Sequence, residues 1–176
     1  MESRSWLLIL GLLLSLKVQA DGSALGVRAG GGEGLDLYSV FSRWQAPWLQ
    51  EQLVDRWLPG PVQAYWGLSV EYWEDDDARA DRDTTEVFIA GPVFRVDWPN
   101  ERLHLLFGVQ PSYLTHRHIG DDDLGGNIQF TSHIELAFDV TSALSIGLRG
   151  QHISNGGLYR PNPGMNLASV TLSYHF

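Results

Sequence analysis

A histidine and a serine two residues apart, His152 and Ser154, open the stretch of this 176-residue sequence that reads as chemistry. They head the run His152-Ile153-Ser154-Asn155-Gly156-Gly157-Leu158-Tyr159-Arg160-Pro161-Asn162-Pro163-Gly164. A serine hydroxyl is a weak nucleophile until a neighbouring base takes its proton, and the oxyanion formed at an acyl carbonyl needs fixed hydrogen-bond donors. Imidazole, hydroxyl and carboxamides in one short run supply those parts. The same residues also suit a loop, because Ser154-Asn155-Gly156-Gly157 and Pro161-Asn162-Pro163-Gly164 are turn formers with a histidine able to cap them. Spacing alone favours the loop. The chain has no cysteine, which excludes a thiol nucleophile, and the run offers one histidine with no carboxylate, so neither a metal nor a cofactor is expected.

The element that must position these groups is a strand. Leu144, Ile146 and Leu148 define an apolar face, and continuing the parity puts His152 and Ser154 on that same face, roughly 7 Å apart. Further on, Ala168, Val170, Leu172, Tyr174 and Phe176 alternate with Ser169, Thr171, Ser173 and His175. The same period of two predicts strands at Ser23–Gly30, Leu35–Trp44, Val62–Trp73, Thr85–Asp97, Arg102–Leu114, Asn127–Val140, Ala143–Ser154 and Met165–Phe176. Their length approaches the ~9–11 residues of a membrane strand. Aromatic residues near the segment ends (Trp44, Trp66, Tyr72, Trp73, Trp98, Tyr113, Tyr174, Phe176) fit girdles at two interfaces. The predicted fold is therefore all-β, an eight-stranded antiparallel transmembrane β-barrel. A soluble sandwich would bury the same aromatics in a core, and alternation by itself does not separate the two.

Composition narrows the choice. The first twenty residues combine a basic Arg4, an apolar run from Trp6 to Leu16 and the small-x-Ala pattern Val18-Gln19-Ala20. A run this short cannot span a bilayer, so residues 1–20 are expected to be a cleaved signal peptide and residues 21–176 the barrel. Beyond Ala20 no apolar stretch is long enough for a membrane helix. The net charge of −9 argues against a nucleic-acid partner, since phosphates are met with clustered Lys and Arg. Short turns are expected at Val140–Ala143 and Trp98–Glu101 on the periplasmic side, and long polar loops at Glu74–Thr84, His116–Gly126 and Asn155–Gly164 on the outer side. Gly30-Gly31-Gly32 and Gly34 look like a tight hairpin loop, and Pro47–Pro59 like a short amphipathic helix or ordered turn. The acidic runs Asp75-Asp76-Asp77 and Asp121-Asp122-Asp123 match no calcium-loop spacing and read as solvated loops.

The run from His152 to Gly164 resembles the H-x-S-N-x-G…P-N-x-G signature of the outer-membrane lipid A 3-O-deacylase family, the PagL-like barrels. Weaker similarity at Tyr65-Trp66 and Gly91-Pro92-Val93-Phe94, and in strand rhythm, extends over most of the chain after residue 20. The resemblance implies a serine esterase in the bacterial outer membrane that removes an ester-linked 3-hydroxy fatty acid from lipid A, with its active site on the outer wall. It implies Ser154 as nucleophile, His152 as general base, Asn162 with the backbone of Gly157 as the oxyanion-stabilising pair, and Asn155 as a positioning residue. Its partners would be lipid A or lipopolysaccharide, the surrounding outer-membrane lipid and, because the last strand with its Phe176 resembles an insertion signal, the barrel-assembly machinery. On this count the resemblance reverses the loop reading.

One position departs from the family. Its acid, which orients the imidazole, aligns with Asn166, and no carboxylate lies between His152 and Phe176. Asn166 shares the parity of Val170 and Leu172, so its amide oxygen faces the right way to accept from the imidazole. It brings no charge, and Asn in place of a triad Asp costs about 10⁴ in kcat where it stabilises the wrong tautomer. A second function class therefore stands beside the first: a non-catalytic barrel that binds lipopolysaccharide or stabilises the membrane. The feature that separates them is the His152 and Ser154 pair on an apolar face, for which a purely structural barrel has no use.

Overall fold

The computed structural model describes residues 23–58, 60–75, 84–99, 102–120 and 122–176. The expected signal peptide, and Asp76, Asp77 and Asp121 of the acidic runs, lie outside the described residues. Eight strands close into an antiparallel barrel: β1 (Ala24–Gly32), β2 (Leu35–Gln45), β3 (Val62–Asp75), β4 (Thr84–Asp97), β5 (Leu103–Leu114), β8 (Ile128–Asp139), β9 (Leu144–Ser154) and β10 (Met165–His175). Two short strands, β6 (His118–Ile119) and β7 (Asp122–Asp123), pair within the connection between β5 and β8. Each barrel strand falls within two residues of the segment that the period of two predicts. Closure comes from the first and last strands, which pair in register from Ala24 opposite His175 to Gly31 opposite Ala168.

The parity that the sequence leaves open is decided by which face is buried. Apolar side chains point out of the barrel, with Leu148 68% and Leu172 51% exposed, while Arg28, Arg43, Glu71, Glu135 and Arg149 are buried inside. A soluble barrel has the opposite arrangement. The wall is thus an apolar surface that must face hydrocarbon, and closure leaves no strand edge in it, as a membrane requires.

The interior is layered rather than uniformly polar. At the end carrying the long connections, the inward positions are apolar: Leu37, Trp73, Ile89, Leu114, Ile153 and Met165 form one buried cluster. Ile119 and Leu124, from the connection between β5 and β8, fold over that cluster and complete it. Below it lies a polar layer. Glu71 Oε2 accepts from Trp73 Nε1 and from Gln151 Nε2, each at 2.9 Å, and Glu135 lies 3.7 Å from Arg28 and 3.8 Å from Arg149. A void of about 20 Å³ beside Arg28, Gln110, His133 and Glu135 is the size of one water, so this layer is packed and not a pore.

The connection between β2 and β3 is helical over residues 47–57, with a π-helical centre at Gln50–Val54, as the spacing of its apolar residues predicts. Pro47 starts it, where the missing N–H costs nothing. Leu49 and Val54 pack on Ala46 and Ala64, and Gln50 ties the segment to β3 by accepting from the Ala64 N–H at 2.8 Å and donating to the Val62 carbonyl at 3.1 Å. Trp48 and Trp57 stay exposed.

The first hairpin differs from expectation. Gly30, Gly31 and Gly32 are not its loop but the end of β1, and the two-residue turn is Glu33-Gly34. Both turn residues have positive φ, +54° and +81°, as a type I′ turn demands. Close approach explains the glycines before it: a Cβ at Gly30 would lie 2.0 Å from the Ala168 carbonyl oxygen across the closing seam.

The buried polar layer makes a stability prediction. Glu135→Ala removes the carboxylate between two buried guanidiniums, and breaking such a site typically costs about 3 kcal/mol or more. The expected result is a lower urea midpoint for the heat-modifiable folded form in micelles. An unchanged midpoint would show that the arginines are neutralised elsewhere.

Candidate active site

Strands β9 and β10 place the candidate residues. Their register sets His152 opposite Asn166 and Ile153 opposite Met165, so that one pair points out through the wall while the next is buried in the apolar cluster beneath. Ser154 lies one pleat beyond His152 on the same outward face, at the end of β9, opposite Phe130 of β8. The four inward and outward positions thus form a platform. Ile153 and Met165 anchor it, and His152 and Asn166 stand on it exposed.

His152 Nδ1 lies 2.9 Å from Asn166 Oδ1. An amide oxygen only accepts, so Nδ1 carries the hydrogen and Nε2 keeps its lone pair. Asn166 Nδ2 in turn donates to Glu33 Oε1 at 2.9 Å, across the closing seam from the β1–β2 turn. The Nε2 side of the ring is bounded by Gly164, which has φ of +68°. A Cβ there would come 2.7 Å from His152 Cε1 and 3.1 Å from Nε2. The Ser154 hydroxyl is half-buried and makes no side-chain hydrogen bond among the described residues, which leaves it available to an incoming group.

Asn155 builds the loop that follows. Fully buried, it donates through Nδ2 to the carbonyls of Leu124 and Pro161, both at 3.0 Å. Its Oδ1 accepts from the N–H of Gly157 at 2.9 Å and, more weakly, from that of Tyr159 at 3.4 Å. Its own backbone N–H donates to Asn162 Oδ1 at 3.0 Å. Because that bond occupies the oxygen of Asn162, its amide N–H₂ is the end left free, and no partner holds it among the described residues. The N–H of Gly157, expected as the second oxyanion donor, donates to Asn155 Oδ1 here, and the N–H of Gly156 is unbonded among the described residues.

The structure therefore brings Ser154, His152, Asn166, Asn155 and Asn162 to one end of the β9–β10 hairpin, gives the motif's last glycine, Gly164, a place against the imidazole, and adds one residue that the motif does not contain. Glu33 lies 133 residues from its partner, and its one local signal is that it is the single side chain within the run Gly30–Gly34.

A family model described as lipid A 3-O-deacylase (PagL) matches residues 31–175. Among characterised proteins, the chain is 34% identical over 109 residues to the lipid A deacylase PagL of Bordetella bronchiseptica, a match spanning 62% of this chain and 60% of that one. It is 26% identical over 170 residues to the lipid A deacylase PagL of Pseudomonas aeruginosa, covering 93% of each. Among solved structures, the crystal structure of the outer membrane enzyme PagL superposes with a TM-score of 0.69 at 21% identity, over 87% of this chain and 99% of that one. The N-terminal β-barrel domain of Pseudomonas aeruginosa OprF superposes with a TM-score of 0.54 at 14% identity, over 90% and 100%. These two superpositions speak to the fold.

The contact at Gly164 is directly testable. Gly164→Ala places a methyl against the imidazole and strains a positive φ, so activity is expected to fall about 10-fold or more while a local strain near 1 kcal/mol leaves the barrel folded. Hydrolysis assays on the micelle-purified variant, beside its heat-modifiability, measure the two effects. Full activity would mean that the ring does not depend on this contact.

Proposed function

The chain belongs to the lipid A 3-O-deacylase (PagL) family of outer-membrane hydrolases, and we propose that it performs this reaction with Ser154 as nucleophile, His152 as general base and Asn166 as the group that orients the imidazole. The observation that carries the reading is the bond from His152 Nδ1 to Asn166 Oδ1 with the Ser154 hydroxyl one pleat further along the same face. It leaves the Nε2 lone pair free to accept a proton. Membership of the family also favours the hydrolase over the non-catalytic barrel.

Ser154 Oγ attacks the acyl carbonyl carbon as its proton passes to His152 Nε2. The resulting oxyanion is met by the free amide N–H₂ of Asn162, with the unbonded N–H of Gly156 as a backbone donor in the same loop. Collapse breaks the bond to the sugar oxygen, which leaves with the proton from His152, and Ser154 holds the acyl group. A water molecule then repeats the sequence: His152 takes its proton, the hydroxide adds to the acyl carbon, and collapse returns Ser154 and releases the 3-hydroxy fatty acid. Asn155 acts through the loop, by fixing the amide of Asn162. An outward groove lined by Val27, Ala29, Tyr38, Val40, Val170 and Leu172 runs along the wall on the β10 side and suits acyl chains in extended form. The same reading has residues 1–20 removed on export, outer-membrane lipid around the wall, and the barrel-assembly machinery inserting the strands.

Three alanine substitutions test the assignment. Ser154→Ala and His152→Ala are each expected to abolish release of the 3-hydroxy fatty acid, and Asn166→Ala to lower it about 10-fold or more, near 1.4 kcal/mol of transition-state stabilisation. Mass spectrometry of lipid A from cells expressing each variant reads the outcome, with heat-modifiability as the control for folding. Near-normal activity in either of the first two would require a different nucleophile or base.

A further inference from the structure

We propose that Glu33 is a positioning residue for catalysis, supplying through Asn166 the fixed negative charge and the amide orientation that the family's acid would otherwise provide. The inference rests on the catalytic reading of Ser154, His152 and Asn166 given above. A carboxamide beside a histidine has two orientations of nearly equal shape, and they have opposite consequences. With oxygen toward His152, the ring carries its hydrogen on Nδ1 and Nε2 can take the serine proton. With nitrogen toward His152, Nδ1 must accept, the hydrogen moves to Nε2, and the base is lost.

Glu33 decides between them. Its Oε1 lies 2.9 Å from Asn166 Nδ2, and a carboxylate accepts hydrogen bonds but does not donate them. Turning the amide over would set its oxygen against the carboxylate. The nitrogen is therefore held toward Glu33 and the oxygen toward His152, 2.9 Å from Nδ1. The imidazolium that forms as Ser154 gives up its proton then faces an amide oxygen polarised by a carboxylate behind it.

The local fold is built to deliver this contact. Gly32 lets the end of β1 lie flush on the start of β10, since a Cβ there would sit 2.6 Å from the Asn166 carbonyl oxygen. The next residue then leans over the Asn166 side chain. Position 33 has φ of +54°, where glycine or asparagine is the natural occupant of a type I′ turn, yet it carries a glutamate. Among the described residues, Asn166 is the only side chain that this glutamate bonds.

The test uses the full-length protein in micelles with lipid A as substrate. Glu33→Gly suits the turn and removes the carboxylate, so the barrel is expected to stay folded while kcat falls about 10-fold and KM changes little. Glu33→Lys should fall further, because an ammonium donor recruits the oxygen of Asn166 and turns its nitrogen to the ring. Asn166→Glu sets two carboxylates face to face, so on that background Glu33→Gly is expected to raise activity. An unchanged kcat in Glu33→Gly, or an equal loss on both backgrounds, would overturn the proposal and leave Glu33 as a turn residue. A silent Asn166→Ala would instead overturn the catalytic reading beneath it.

Discussion

Barrel closure is the constraint on which everything else here depends. In hydrocarbon an unpaired backbone N–H or carbonyl has no water to turn to, so β1 and β10 must meet along their length. The seam they form is also where the candidate site sits. Asn166 begins β10, His152 faces it from β9, and Glu33 reaches it from the turn that ends β1. Joining the two ends of the barrel and assembling the outward constellation are one event, which is why residues far apart in sequence share a hydrogen-bond chain.

Two carboxamides on this end of the barrel are held by the same logic. Asn166 has its nitrogen tied to Glu33, which directs its oxygen; Asn162 has its oxygen tied to the N–H of Asn155, which directs its nitrogen. Each is made unambiguous by a partner that can bond only one of its ends. The partner of Asn162 is itself locked, since Asn155 is fully buried with both ends of its own amide engaged. A neutral group thereby acquires the directional certainty that a carboxylate or an arginine has by nature.

Much of this was legible in the residues. The outward parity of His152 and Asn166 follows from Leu148 and Val170 on their strands, because a period of two leaves no freedom once one residue is placed. The glycine run before Glu33 was misread because a glycine required for a tight loop and one required for close strand approach look alike without the register. Which partner the N–H of Gly157 meets is likewise hidden in the sequence, since only the fold sets it against Asn155 Oδ1. The apolar upper lumen was hidden in Trp73, Ile89 and Ile153, which sit on inward positions of strands whose outward positions are apolar as well. Glu33 needed the closing register itself, which the local pattern of neither strand contains.

The helical segment over residues 47–57 has a bearing on the distant end of the molecule. It leaves Trp48 and Trp57 exposed at the end of the barrel opposite the site, where indole rings hold a protein at the boundary between headgroups and hydrocarbon. From there β9 climbs eleven residues to Ser154, a vertical reach of about 25 Å at the usual rise and tilt of membrane strands. The protein is therefore a ruler as much as a hydrolase. On the proposed reading, a barrel held at one interface by these indoles carries Ser154 at a set height near the other.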